Sequence, residues 1–302
     1  MKILVTGGTG FIGKNLSVGY KLSSSDVDLR DFNKTLRFFL NYEPDVIIHC
    51  AARHGNFKEM QEDKVSFFRD NQLIDLNVFE SARLAGVKKL IALSSVTAFP
   101  HHLDKEFVEE DFHLGEPHPS CYTYGFNKRM LDIMCRSYNN QYGLNYICAI
   151  LTNMYGKHNN FDLDSATVVS NLIHKCYLAK KKDTDFKIHG DGSPIRDYMY
   201  VDDLNNIFKS LLDNYKSSEP VIISTGEYIS IKNLVDIIVE KMEFKGNVVW
   251  GNEKNMGQIK KVSSNNKLIN FDKDINFTSV EKGIEKTIKW FIRYNKGNEV
   301  YS

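Results

Sequence analysis

Short apolar runs alternate with amphipathic segments through the first half of the chain. Lys2-Ile3-Leu4-Val5-Thr6 is apolar, β-branched and closed by glycines, which predicts a buried strand. The pattern then predicts a helix over 13–20, a short strand at Lys21-Leu22-Ser23 and a helix over 35–42. Pro44-Asp45 punctuates, and 46–50 reads as a third buried strand. Residues 65–85 carry apolar positions at helical spacing and stop at Gly86. A strand over 89–93 ends in Ser94-Ser95, a helix over 126–142 ends at Gly143, and 146–150 is a fifth strand.

Strands and helices alternating at this spacing predict an α/β fold, a doubly wound parallel sheet of the Rossmann type with helices on both faces. From about Met154 the rhythm breaks into loop-rich segments, His158-Asn159-Asn160-Phe161 and Gly190-Asp191-Gly192-Ser193-Pro194, and helix returns over 230–242. The expected division is a dinucleotide-binding domain over 1–155 plus about 198–225. A smaller α/β substrate-binding region takes about 156–197 and 226–302.

Composition narrows the partners. The 302 residues are 42% hydrophobic and 25% charged with a formal net charge of +1, an ordinary globular balance that offers no basic field to nucleic acid or anionic lipid. Apolar stretches are too short to span a bilayer, and MKILVTGG has no signal-peptide pattern. Five cysteines, odd in number and without C-x-x-C spacing, point away from zinc and disulfides and toward a reducing compartment. A cytoplasmic protein with no metal site is expected.

Gly7-Gly8-Thr9-Gly10-Phe11-Ile12-Gly13 is a G-x-x-G-x-x-G loop directly after the first strand and before a helix. Such glycines let the backbone approach a pyrophosphate, and the helix start supplies N–H donors. The end of the second strand reads Ser23-Ser24-Ser25 where an NAD site usually has an acid, and hydroxyls suit a 2′-phosphate; NADPH is expected over NADH, unless Asp26 fills the acid position. Asp28-Leu29 falls where such folds touch adenine.

Tyr124 and Lys128 have Y-x-x-x-K spacing, which puts both on one helical face. An ammonium beside a phenol favours the phenolate and lowers its pKa from about 10, so the tyrosine can exchange a proton near neutral pH. Tyr177/Lys181 and Tyr228/Lys232 share the spacing. Only the Tyr124 pair follows a strand ending in a hydroxyl residue, Ser95, where ligands bind in open α/β sheets. Ser95 can hydrogen-bond a carbonyl oxygen that gains charge as hydride arrives.

The glycine loop, Ala51-Ala52, Ser94-Ser95 and Tyr124 with Lys128 resemble the extended short-chain dehydrogenase/reductases. Phe99-Pro100, Pro117-His118-Pro119-Ser120, Asn127-Lys128-Arg129-Met130, Gln141-Tyr142-Gly143, Thr152-Asn153, 156–161, 190–196 and Tyr200-Val201-Asp202-Asp203-Leu204 narrow the resemblance to the GDP-L-fucose synthases, over nearly the whole chain. That family reduces a GDP-linked 4-keto sugar with NADPH after epimerising C3 and C5, in the synthesis of surface polysaccharides. The resemblance implies that Ser95 holds the 4-keto oxygen, Tyr124 donates the proton, and Lys128 tunes Tyr124 and holds the nicotinamide ribose. It also implies cofactor contacts from Gly7, Gly10, Phe11, Ile12, Gly13, Ser23, Ser24, Asp28, Leu29, Ala51, Ala52, Asn71, Leu151 and Asn153. Substrate contacts fall on Thr97, Asn153, Lys175, Arg196 and Lys261, the last two on the diphosphate. A homodimer through helices 65–85 and 126–142 is implied as well.

The sequence departs from this family at its epimerase pair. Thr97 stands where the family has a cysteine and Thr167 where it has a histidine. Inversion beside a ketone needs one group to take a proton and another to return it on the opposite face, and a threonine hydroxyl is far too weak an acid. Cys121 reads as a small packing residue and His158 as a loop anchor. The expectation is a C4 reductase of a nucleotide-linked 4-keto sugar without epimerase activity. The alternatives are a bifunctional 3,5-epimerase/4-reductase, a 4-epimerase with tightly held NAD, and a non-enzymatic dinucleotide sensor. Val96 and Thr97 occupy the places where a 4,6-dehydratase needs an acid pair.

Overall fold

The protein is described here from a computed structural model covering residues 1–53, 62–251 and 258–298. Six parallel strands form the central sheet: β1 (Ile3–Thr6), β2 (Tyr20–Leu22), β3 (Val46–His49), β4 (Lys89–Ser95), β5 (Asn145–Leu151) and β9 (Val221–Ile223). Their order is β2-β1-β3-β4-β5-β9. The chain leaves β1 toward β2 on one side and resumes with β3 on the other. This reversal opens a crevice at the carboxyl ends of β1 and β3, where doubly wound sheets bind ligands.

The strands read as continuous apolar runs because both faces are covered. Leu4, Ile47 and Ile150 face α2 (Phe32–Tyr42), α3 (Lys64–Leu84) and α4 (Tyr122–Tyr142), packing on Phe39, Phe79 and Leu131. Their neighbours Val5, Ile48 and Ile91 face the other way, onto Ile207 and Leu211 of α6 (Leu204–Asn214) and Leu268 of α8 (Asn266–Phe271). A third core joins α5 (Val168–Lys182), α7 (Ile231–Lys241) and α9 (Val280–Asn298) through Ile173, Leu234, Ile284 and Phe291. Small sheets flank it. β8 (Ile195–Tyr200) pairs with β6 (Asn153–Tyr155), β10 (Tyr228–Ser230) and β12 (Lys260–Lys261), and β7 (Phe186–Ile188) pairs with β11 (Val248–Trp250).

Through residue 151 most elements fall within a few residues of the sequence pattern, and the departures there have local causes; beyond it, β6–β12 and the helices α5, α6, α8 and α9 were not anticipated, and only α7 was. The helix expected over 13–20 is only α1 (Phe11–Asn15), because Leu16 is extended and buried and Gly19, at φ 78°, turns the chain into β2. Helix α4 begins four residues earlier than expected, since Pro119 opens a single 3-10 turn that runs directly into it. Both Tyr124 and Lys128 thereby lie inside one helix. Strand β4 continues two residues further, placing Ser95 in register with Leu151 at the ligand-facing end of the sheet.

Candidate active site

The glycine loop is shaped by contacts that leave no room for side chains. A Cβ on Gly13 would lie 2.3 Å from the Gly7 carbonyl oxygen, and one on Gly7, whose φ is +64°, would lie 2.7 Å from the Ala51 nitrogen and Cα. Gly10 precedes α1 without a side-chain cap, so the first-turn N–H groups are left for a ligand. This cradle fits a dinucleotide pyrophosphate. Gly7, Gly10, Phe11, Ile12 and Gly13 line a cavity of about 550 Å³ together with Ser95, Thr97, Tyr124, Lys128, Leu151 and Asn153.

A second cavity, about 410 Å³, adjoins it through Gly7, Gly10, Cys50 and Ala52 and holds Ser23, Ser24, Asp28, Leu29 and Ala51. Arg30, Arg53 and Asp70 line it too and were not anticipated from sequence. Arg30 grips Asp28 through Nε at 2.9 Å and Nη2 at 2.8 Å, which holds the Asp28 carboxyl down at about 2. Asp70, nearly buried, faces both Arg30 (3.4 Å) and Arg53 (3.2 Å). Asp26 instead accepts the Ser23 amide and hydroxyl at 2.8 and 2.7 Å and closes the serine turn. Asn71 is buried, with its amide committed to the Arg53 backbone at 2.8 and 3.0 Å and to the Phe67 carbonyl at 2.9 Å. It orients Arg53 beside the cavity.

At the other end, the helix carrying Tyr124 is fastened to β4. The Lys128 ammonium donates to the Leu93 carbonyl at 2.9 Å and sits 5.8 Å from the Tyr124 ring centroid. Arg129 donates to the carbonyls of Gly115 and Ala98. Gly125 permits the close approach, since a Cβ there would meet Pro117 at 2.5 Å and the Thr97 carbonyl at 3.1 Å. Tyr177/Lys181 on α5 and Tyr228/Lys232 across β10 and α7 lie outside the residues that line this cavity.

Thr97 and Thr167 line the same cavity as Ser95 and Tyr124, although 70 residues separate them in sequence. Thr97 Oγ1 is 3.1 Å from Ser95 Oγ and 3.4 Å from Lys261 Nζ. Thr167 Oγ1 accepts from Asn159 Nδ2 at 3.2 Å. His158 also lines the cavity, at φ +61° and 5.0 Å from the Trp290 ring. Burial, with Lys14 and Lys157 nearby, lowers its pKa and keeps its ring neutral. Burial raises both nearby thiols, Cys50 to about 12 and Cys121 less far, so neither is a ready base.

Lys261 is pushed down to about 8, first by burial and then by Arg196. Arg196 itself donates to the backbone carbonyls of Ile195, Gln258 and Ile259. Asp197, fully buried, ties these segments together: its carboxylate accepts Ser224 Oγ at 3.0 Å and Ser263 N at 3.1 Å, and its carbonyl accepts Asn153 Nδ2 at 2.9 Å. Lys175 on α5 is half-buried, which lowers its pKa. Among the described residues no group of histidine, cysteine and carboxylate side chains could hold a metal ion, and no helix is long and apolar enough to cross a membrane.

A parallel doubly wound sheet with a glycine cradle at its switch point defines a dinucleotide-binding protein of the Rossmann class. The chain belongs to the NAD dependent epimerase/dehydratase family, which matches residues 3–226. It is 38% identical over 303 residues to the GDP-L-fucose synthase of Dictyostelium discoideum, covering 96% of this chain and 95% of that one. A crystal structure of a GDP-L-fucose synthetase from Naegleria fowleri bound to NADP superposes with a TM-score of 0.90 at 34% identity, over 98% of this chain and 95% of that one. A GDP-mannoheptose C4 reductase from Campylobacter jejuni with NADP bound shares the fold, with a TM-score of 0.86 at 23% identity over 96% and 98% of the two chains.

Proposed function

We propose that this protein uses NADPH to reduce the 4-keto group of a GDP-linked sugar and does so without inverting C3 or C5. The observation that carries the reading is one cavity that holds Ser95, Tyr124 and Lys128 beside the glycine cradle and has threonines, Thr97 and Thr167, at the two epimerase positions. NADPH, when bound, supplies the hydride. Ser95 donates a hydrogen bond to the ketone oxygen as charge develops there. Tyr124 gives that oxygen its proton, and the Lys128 ammonium stabilises the phenolate left behind. Lys128 also holds the nicotinamide ribose, and Asn153 orients the nicotinamide and sugar. Lys261 and Arg196 take the diphosphate, and Lys175 serves the nucleotide end.

Neither threonine can remove a carbon-bound proton near neutral pH. His158 is a single imidazole, whereas inversion needs two groups on opposite faces. Ser23, Ser24, Arg30 and Arg53 offer hydroxyls and cations to a 2′-phosphate, the basis for NADPH over NADH. In this reading residues 1–155 and about 198–225 hold the dinucleotide, and about 156–197 and 226–302 hold the nucleotide sugar.

The active form is a homodimer in the cytoplasm, contributing to surface polysaccharide synthesis. Val65 and Phe68 on α3 and Tyr122 and Ile133 on α4 are 78%, 47%, 46% and 44% exposed, an apolar face too extensive for an isolated solvated helix pair. The function is tested by following NADPH oxidation with a panel of GDP-linked 4-keto sugars and identifying products by NMR. Turnover lost in Tyr124→Phe with NADPH binding retained supports the assignment; full turnover in that variant removes Tyr124 from the mechanism.

A further inference from the structure

Three side chains from two segments form a line toward the place proposed for the ketone. Lys261, on β12, has Nζ 3.4 Å from Thr97 Oγ1, and that oxygen is 3.1 Å from Ser95 Oγ. The Thr97 amide also donates to Ser95 Oγ, at 3.2 Å. An ammonium only donates, so Thr97 Oγ1 accepts from Lys261. A hydroxyl carries one proton and rotates to suit its neighbours. As the side chains stand, the Ser95 hydroxyl donates to Thr97 Oγ1. A ketone that takes the Ser95 proton ends that bond, and the Thr97 hydroxyl then turns its own proton to the Ser95 oxygen. Every donor in the line then points the same way, from Lys261 to Thr97, to Ser95, to the ketone oxygen.

We propose that Thr97 is a positioning residue that relays the Lys261 charge to Ser95, making the Ser95 hydrogen bond to the sugar's 4-keto oxygen a charge-assisted one. The proposal rests on the reductase reading above. Hydrogen bonds in a chain polarise one another, and one that begins on a cation strengthens the donor at its far end. No proton leaves Lys261; the proton that reaches O4 comes from Tyr124. A thiol is a weak donor and a weak acceptor, so cysteine at position 97 would transmit little of this effect. Threonine at this position thus adds to the reduction besides removing an epimerase group.

The test is a double-mutant cycle in the full-length enzyme. Thr97→Val keeps the side chain's shape and removes the relay oxygen. It is expected to lower kcat roughly tenfold, a modest share of what loss of an oxyanion donor costs, while GDP affinity by calorimetry stays within about twofold of wild type. Thr97→Ser restores most of the rate, and Thr97→Cys does not. In a Lys261→Gln background, which weakens GDP binding on its own, Thr97→Val should cost little further kcat, because the charge it relays has gone. Wild-type kcat in Thr97→Val, a loss confined to KM, or an undiminished loss in the Lys261→Gln background overturns the relay while leaving the reductase reading intact. Absence of NADPH-dependent reduction in the wild type overturns the reading and the relay together.

Discussion

The Ser94 hydroxyl donates to the Lys128 carbonyl oxygen at 2.7 Å, joining the end of β4 to the helix that carries Tyr124. The bond is buried, and Ser95, Tyr124 and Lys128 all sit within four residues of one of its ends. Ser94→Ala is expected to lower stability by about 1 kcal/mol. It should also lower kcat by loosening the helix against the strand, with NADPH affinity unchanged. Urea unfolding and steady-state kinetics check both.

Two glycines should respond differently to alanine. Gly13→Ala forces a Cβ to within 2.3 Å of the Gly7 carbonyl and 2.7 Å of Gly8 Cα, both backbone atoms. An overpacking cost of about 3 kcal/mol and loss of NADPH binding are expected. Gly143 sits at φ +64° after α4 with no atom near its missing Cβ. Gly143→Ala should cost about 1 kcal/mol through its left-handed backbone alone and leave kcat and NADPH binding intact. Thermal melts with and without NADPH distinguish the two.

Binding of the GDP moiety should weaken above pH 8. Lys261, faced by Cys121, Arg196 and Asp197, is held down at about 8, and in the role proposed for it the protonated form is the one that would bind a diphosphate. The ligand therefore raises this pKa, and binding takes up a proton at pH values above the free-state value. Affinity for GDP is expected to be about tenfold lower at pH 9 than at pH 7, with nearly one proton taken up per GDP at pH 9. Calorimetry in buffers of different ionisation enthalpy measures the uptake. Lys261→Met should bind GDP weakly at both pH values and abolish the slope.

The apolar face of α3 and α4 predicts a dimer that a charge disrupts. Lys64, Val65, Phe68, Tyr122, Phe126 and Met130 border one groove between these helices. Phe68→Glu together with Ile133→Glu should give monomers by light scattering while the far-ultraviolet circular dichroism remains native. Dimers in that double variant would move the interface elsewhere.

The strands β1, β3, β4 and β5 were legible because they are apolar on both faces and bounded by glycine, proline or serine, whereas the three-residue β9 was not read. Tyr124 and Lys128 were legible because helical spacing fixes their separation, and Ser95 because it ends an apolar run. Tertiary placement was harder to see. Arg30, Arg53 and Asp70 come from two loops and a helix and converge only after the sheet has formed. Asp197, flanked by Arg196 and Tyr198, gave no sign that it would be buried and shared by three segments. The juxtaposition of Thr97 and Thr167 followed from family resemblance, since neither residue advertises chemistry by itself. The error over 13–20 came from reading apolar periodicity through Gly19, whose backbone conformation ends the pattern.

The central claim is hydride transfer to C4 with no inversion at its neighbours, and isotope tracing in heavy water tests it most directly. With unlabelled NADPH and a GDP-linked 4-keto sugar, the product should carry protium from the cofactor at C4 and no enzyme-dependent deuterium at C3 or C5, with one NADPH consumed per sugar. Deuterium entering C3 or C5 at an enzyme-dependent rate, or product formed without NADPH oxidation, would contradict it.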